Sequence, residues 1–148
     1  MKKKLKGYIF SRSFLGESVP QKVQNLVIRQ YCEKNNYEFQ LSAVEYAMVD
    51  CHLALLGTLK KIKKLDGIVM YSLFQLPEDD SLRNDIYKKL KKEDKQIHFA
   101  LENYNLNVRD KDNLEKIENI WLIRKVIEKQ DFNWTNNILK KYETKKFF

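Results

Sequence analysis

The sequence predicts a mixed α/β fold of three layers: a four-stranded, mostly parallel sheet with helices on both faces, followed by a long C-terminal helix. Three observations predict it. Short apolar runs alternate with amphipathic segments in the order strand, helix, strand, helix, strand, helix, strand, the pattern of a parallel sheet wound with helices. The run Ile68-Val69-Met70-Tyr71 is continuously apolar, as suits a central strand covered on both faces. The 148 residues are 43% hydrophobic and 12% aromatic, enough for one domain with its own core. That single domain is expected to span residues 1–148, with an α/β core at about 7–103, a long helix at 111–130 and a tail at 131–148.

Each element has a local reason. Lys6 to Phe10 is a short apolar run that stops at Ser11-Arg12-Ser13, a strand and then a loop. Ser18 and Pro20 announce a helix. Val23, Leu26, Val27, Gln30 and Tyr31 recur along it at helical spacing, and Asn35-Asn36 ends it. Tyr37 to Val44 alternates as a strand, with Tyr37, Phe39 and Leu41 on one face. Cys51 to Lys64 reads as a helix with Leu55, Leu59 and Ile62 inward. Asp66-Gly67 turns into the central strand. Ser81 to Asp94 is a helix with Leu82, Ile86 and Leu90 inward. Gln96 to Leu101 is the fourth strand, and Lys111 to Lys129 a helix carrying Leu114, Ile117, Ile120, Trp121 and Ile127.

Composition bounds the function. The net charge of +8 is almost all lysine. It admits a nucleic-acid or anionic partner, but aromatics do not interleave with the lysine runs as on a base-stacking surface. A solvated lysine-rich surface is the favoured reading, with no specific nucleic-acid partner. Cys32 and Cys51 form no CxxC motif, and with His52 and His98 they lack the usual spacing of a zinc site, so no metal is expected. No GxGxxG or GxxxxGK[ST] fingerprint occurs, so no cofactor is expected. No apolar run approaches the ~20 residues of a membrane helix, and the basic N-terminus lacks a signal peptide's apolar stretch. A cytoplasmic protein with no membrane partner is therefore expected.

In wound parallel sheets, ligands bind beyond the carboxyl ends of the strands, where the strand order reverses. Here those ends carry Ser11-Arg12-Ser13, Glu45-Tyr46, Tyr71-Ser72 and Glu102, a polar rim. Arg12 is suited to clamp a phosphate or carboxylate, with Ser11, Ser13, Tyr71 and Ser72 as further binding contacts. Glu45 ends its strand before apolar residues, so a raised pKa and proton transfer are expected of it. His98 and Glu102 lie four residues apart, on one side of a strand, and would pair as acid and base. Cys51, at a helix start, is a candidate thiolate. Each has an ordinary alternative: a surface arginine, turn serines, a paired carboxylate, a hydrogen-bonded core histidine, a small buried thiol.

The order and spacing of Gly7-Tyr8-Ile9-Phe10-Ser11-Arg12, the Gln24-to-Tyr31 helix, Asp66 to Leu76 and Gln96 to Glu102 resemble the catalytic domain of serine recombinases (resolvases and invertases). The resemblance implies a resolvase-like, flavodoxin-like fold. It does not carry the recombinase chemistry. The places of the arginine and the nucleophilic serine hold Phe10 and Arg12. The later arginine and aspartate places hold Ser72, Phe74, Gln75 and Glu78. Phosphodiester attack needs an activated hydroxyl and several guanidinium groups.

The stretches GYIFSRSFLGESVPQKVQNLVIRQYC, SAVEYAMVDC, LDGIVMYSLFQLP and IHFALEN also resemble the sporadic carbohydrate cluster proteins, over Gly7 to about Asn103. This resemblance implies a bacterial setting in surface-polysaccharide or nonulosonic-acid-type sugar synthesis, without specifying a reaction. The expectation is a small enzyme or enzyme-like binder of an anionic sugar or sugar phosphate, of isomerase, hydrolase or lyase type. The alternative is a non-catalytic interaction or regulatory protein that forms a homodimer through its C-terminal helix, where Trp121 lies.

Overall fold

The computed structural model describes residues 1–14, 16 and 18–146, with side chains through residue 128 and at residue 140. One sheet holds β1 (Lys4–Phe10), β2 (Glu38–Glu45), β3 (Gly67–Met70), β4 (Gln96–Phe99) and β5 (Tyr104–Leu106) in the order β2-β1-β3-β4-β5. The β1–β2, β1–β3 and β3–β4 pairs are parallel, and β4–β5 is antiparallel. The helices are α1 (Gln21–Lys34), α2 (Leu53–Lys60), α3 (Asp80–Glu93) and α4 (Lys111–Lys146). The mixed α/β class and the mostly parallel sheet are as expected. The sheet has five strands rather than four, because the segment after β4 turns back at Asn103, whose φ is 51°, and adds a short edge strand.

The order reverses between β1 and β3, since β2 lies on one side of β1 and β3 on the other. On β1, Leu5 and Ile9 join Val69 of β3 and Ile28, Tyr31 and Cys32 of α1 in one buried cluster. Tyr8 serves the opposite face, where its hydroxyl meets Glu45 and His52 at the entry to α2. The period-two alternation of a strand thus sends consecutive β1 residues to different helices.

Four local expectations are corrected. The buried face of α1 is Gln24, Ile28, Tyr31 and Cys32, while Val23 and Leu26 are exposed. The apolar periodicity misplaced the face because a glutamine lies at its centre. The segment from Cys51 begins its helix only at Leu53 and continues past Lys60 as a 3-10 turn, Ile62–Lys64. Leu41 of β2 is exposed rather than aligned with Tyr37 and Phe39. The cause is an irregularity in register: Lys6 pairs with Gln40 but Tyr8 with Ala43, so the extra residue in β2 breaks the alternation. Gly7 sits opposite this bulge, and a Cβ there would land on the Ser42 hydroxyl and the Phe39 ring. Finally, α4 runs on to Lys146 rather than ending near Lys129.

Contacts divide the chain into two compact units, with the boundary between Leu114 and Glu115. Among the described residues no helix is long and apolar enough to cross a membrane.

Candidate functional site

The carboxyl ends of β1 and β2 and the entry to α2 converge on Glu45. This side chain is 1% exposed. Its Oε1 accepts from the Tyr8 hydroxyl at 2.7 Å and the Leu55 amide at 3.2 Å. Its Oε2 accepts from the Ala54 amide at 2.9 Å, the Tyr46 amide at 3.1 Å and the Cys51 thiol at 3.7 Å. Glu45 therefore closes the open N–H end of α2, which has no side-chain cap of its own. Burial pushes its carboxyl up, but the Ala54 amide, the Tyr8 hydroxyl and the Leu55 and Tyr46 amides outweigh this and hold it below the usual carboxylate range. The expected raised pKa is corrected: its donors stabilise the anion more than burial disfavours it. Burial and the Glu45 carboxylate in turn push the Tyr8 phenol up, so Tyr8 stays a donor.

Around this capped helix start lie Arg12, Cys51 and His52. Arg12 rests on the Phe10 ring, 4.0 Å from its centroid, and gives Nη1–H to the Tyr46 carbonyl at 3.1 Å. His52 also lies against Phe10 and has its Nδ1 3.5 Å from the Tyr8 hydroxyl. Burial and the Arg12 charge hold its imidazole below the usual histidine value. Ser11 donates to the Glu45 carbonyl at 3.1 Å, and Ser13 is exposed on the same loop. Cys51 precedes the helix as a donor to Glu45. The two amides that would stabilise a thiolate at this helix end, those of Ala54 and Leu55, are bonded to the carboxylate instead.

The other predicted residues are placed elsewhere. Ser72 is buried at the end of β3 and donates to Glu102 Oε1 at 2.6 Å, while Glu102 also accepts from the Leu73 amide. Ser72 and Gln75 form a capping box on a 3-10 turn, Leu73–Gln75. Tyr71 is buried in the α1-side cluster, with its ring 6.0 Å from that of Phe14. His98 is 1% exposed, and its Nδ1 lies 2.7 Å from the Tyr31 hydroxyl. The expected His98–Glu102 pair is not formed. β4 ends at Phe99 and Glu102 lies within the turn from Ala100 to Asn103, so the strand periodicity that put both on one side does not reach that far.

Sequence reasoning missed Gln24 and Gln75. Gln75 Nε2 donates to Gln24 Oε1 at 2.8 Å. Gln24 spans the β1 backbone, accepting from the Phe10 amide and donating to its carbonyl, at 3.1 and 3.0 Å. The signal was present: a glutamine among the apolar positions of α1. Also missed was a cleft of about 300 Å³ lined by Asp50, His52, Pro77, Glu78, Asp79 and Leu82. Buried Arg83 shapes its far wall by donating to the Pro77 and Glu78 carbonyls, both at 3.0 Å. Among the described residues no cluster of histidine, cysteine, aspartate or glutamate is arranged for a metal ion.

Two solved structures share this fold. A resolvase family site-specific recombinase from Streptococcus pneumoniae superposes with a TM-score of 0.58 at 11% identity, over 94% of this chain and 99% of that one. The N-terminal catalytic domain of TP901-1 integrase superposes with a TM-score of 0.52 at 16% identity, over 84% and 97% of the two chains. The fold is resolvase-like. No protein-family model and no curated protein matches the sequence.

Proposed function

We propose that this chain is a small carbohydrate-binding protein of surface-polysaccharide or nonulosonic-acid-type biosynthesis in the bacterial cytoplasm. It holds an anionic sugar or sugar phosphate beyond the carboxyl ends of β1 and β2. The supporting observation is Arg12, whose guanidinium is set by Phe10 and the Tyr46 carbonyl and has no carboxylate partner among the described residues. A guanidinium fixed by packing, with N–H groups to spare, suits a carboxylate or phosphate.

The neighbouring cleft supplies the rest of the recognition. His52 lines the cleft and shares the Phe10 ring with Arg12. Asp50 presents a carboxylate that accepts from sugar hydroxyls and repels a second anionic group, and Asp79 adds the oxygen that does not cap α3 at the Leu82 amide. The ligand is thus anionic at one end and hydroxyl-rich at the other. The volume of about 300 Å³ lies at the low end of ligand pockets, roughly 300–1,000 Å³, and suits a single sugar ring. Glu45, Ser72 and Glu102 are engaged in holding turns and a helix end, which favours binding over catalysis. An isomerase, hydrolase or lyase reaction at this site would use neutral His52 as its base, with Cys51 beside it.

Calorimetry with sialic-acid-type acids and hexose phosphates tests the reading. Arg12→Ala is expected to weaken the best of these ligands about 10- to 100-fold, the worth of a hydrogen bond to a charged group. Equal affinity in both proteins removes Arg12 from the site and the proposal with it.

A second reading is assembly into a homodimer through α4. Leu122, Ile123, Val126 and Ile127 are all exposed on that helix, and Leu122–Val126 and Ile123–Ile127 are neighbours on its surface. Light scattering should then show a dimer that Ile123→Lys together with Ile127→Lys converts to monomer. A monomer in both proteins ends this reading.

A further inference from the structure

A second cavity, of about 380 Å³, opens where β1 and β2 meet α2, lined by Lys6, Gln40, Ala54, Gly57, Thr58, Lys61, Lys64 and Leu65. Of these, Lys6, Lys61 and Lys64 carry charge, and all three charges are positive. None of the three has an ion-pair partner among the described residues. Lys61 and Lys64 have an ordinary reason to be here, since they follow the last turn of α2, where cations suit the free carbonyls. Lys6 has none. It projects from the middle of β1, between Gln40 and Ile68 in register, and is half-buried. A lysine at this mid-strand position lays its aliphatic stem along the sheet and brings its charge to the cavity. The acidic groups nearby are otherwise engaged: Glu38 accepts from the Gln40 side-chain Nε2 at 3.2 Å, and Asp66 accepts from the Lys4 backbone amide at 2.7 Å.

The floor is an independent oddity. Gly57 lies inside the eight-residue helix α2, where glycine costs ~1 kcal/mol relative to alanine. No packing demands it, because a Cβ there would meet nothing within 4 Å. What the glycine does is leave the helix backbone bare on the side of the cavity that Ala54 and Leu65 also line. Gln40 and Thr58 stand at its edge. The Thr58 hydroxyl already donates to the Ala54 carbonyl at 3.0 Å and presents its oxygen as an acceptor.

We propose that this cavity binds a nucleoside diphosphate. The base lies flat on the Ala54–Gly57–Leu65 wall and the phosphates meet Lys6, Lys61 and Lys64. Three lysines lining one cavity suit a diphosphate better than a single carboxylate, and the apolar groups of Ala54 and Leu65 suit a planar ring better than water. The site shares no lining residue with the cleft beside Arg12 and does not depend on it.

Calorimetry with ADP, UDP and inorganic pyrophosphate on the full chain tests this. Lys61→Ala combined with Lys64→Ala should weaken ADP or UDP and pyrophosphate alike, by about tenfold or more. Gly57→Leu fills the wall without removing charge, so it should abolish nucleotide binding and leave pyrophosphate binding in place. Arg12→Ala should change neither. Absence of nucleotide binding by the wild type, or nucleotide affinity untouched by the double lysine variant, overturns the proposal. So does nucleotide binding lost with Arg12→Ala, which would move the ligand to the other site. The lysine variants alter exposed side chains, so the test stands even if Gly57→Leu fails to fold.

Discussion

Replacing Glu45 with alanine is expected to destabilise the protein by about 3–5 kcal/mol, the range for removing one partner from a buried charged network. The physical cause is the set of donors left behind. The amides of Tyr46, Ala54 and Leu55 and the hydroxyl of Tyr8 all end on this carboxylate, and each buried donor without an acceptor costs about 1–3 kcal/mol unless water reaches it. A domain of ordinary stability has only about 5–15 kcal/mol in hand, so the variant loses a large share of it. Urea denaturation measures the loss. Glu45→Gln should recover part of it, because one amide oxygen still accepts while the NH₂ faces donors. Tyr8→Phe removes a single donor together with its share of the bond and should cost only about 1 kcal/mol. A Glu45→Ala loss as small as that of Tyr8→Phe would show that the carboxylate does not hold the start of α2.

Acidification should destabilise the protein well before ordinary carboxylates titrate. Burial, aided by the charge of Lys3, holds the His98 imidazole down to about 4. Burial also pushes the Tyr31 hydroxyl up to about 12, so a neutral phenol faces a neutral imidazole. In the unfolded chain the histidine titrates near ~6.5. Between these values the unfolded state binds the extra proton, so stability falls as pH drops from about 6.5 to about 4. The loss amounts to roughly 3 kcal/mol by pH 4. Below that window Glu45 adds to the loss. Its folded carboxyl is held under the usual range, so its contribution is present at higher pH and disappears as acid protonates it. Denaturation midpoints measured between pH 7 and 4 give the acid limb, and proton NMR gives the His98 titration directly. His98→Phe should flatten the limb above pH 5. A limb of unchanged steepness in that variant would assign the acid sensitivity to other groups.

Two places singled out by the recombinase resemblance carry packing and amide groups in this chain. Phe10 stands where the resembling family has an arginine, and in this chain it is buried as the platform of Arg12. Gln75 stands at another of those places and is bonded to Gln24 across the β1 backbone. Apolar packing and a neutral amide clamp occupy space that a phosphate-handling site would keep for guanidinium groups. Arg12 stands on that loop where the resembling family has its serine, and the ligand proposed for it is a small anion rather than a phosphodiester.

The sequence alone determined the class of fold and the position of the rim. A continuous apolar run must be covered on both faces, as Ile68–Met70 is, and proline and asparagine at the borders of α1 act through their own backbone preferences. These are local effects, so β1, α1, β3 and α3 were legible to within a few residues. Arg12 was legible as a rim residue because a polar loop after the first strand of a wound sheet has few other places to go. What tertiary structure decided was everything that depends on which partner a polar group meets. Glu45 reads the same in a chain whether it meets solvent or the open end of a helix. Here it meets five donors, and its pKa falls where burial alone would raise it. His98 and Glu102 looked paired because period two was extended past the last ladder bond of β4. The turn at Asn103 sent Glu102 to Ser72 and left His98 with Tyr31. The face of α1 was misread because hydrophobicity does not reveal that a glutamine can be buried when a strand backbone and a second glutamine satisfy it. Burial cost is local to a residue, but its compensation comes from groups distant in sequence, and only the folded chain brings them within hydrogen-bonding reach.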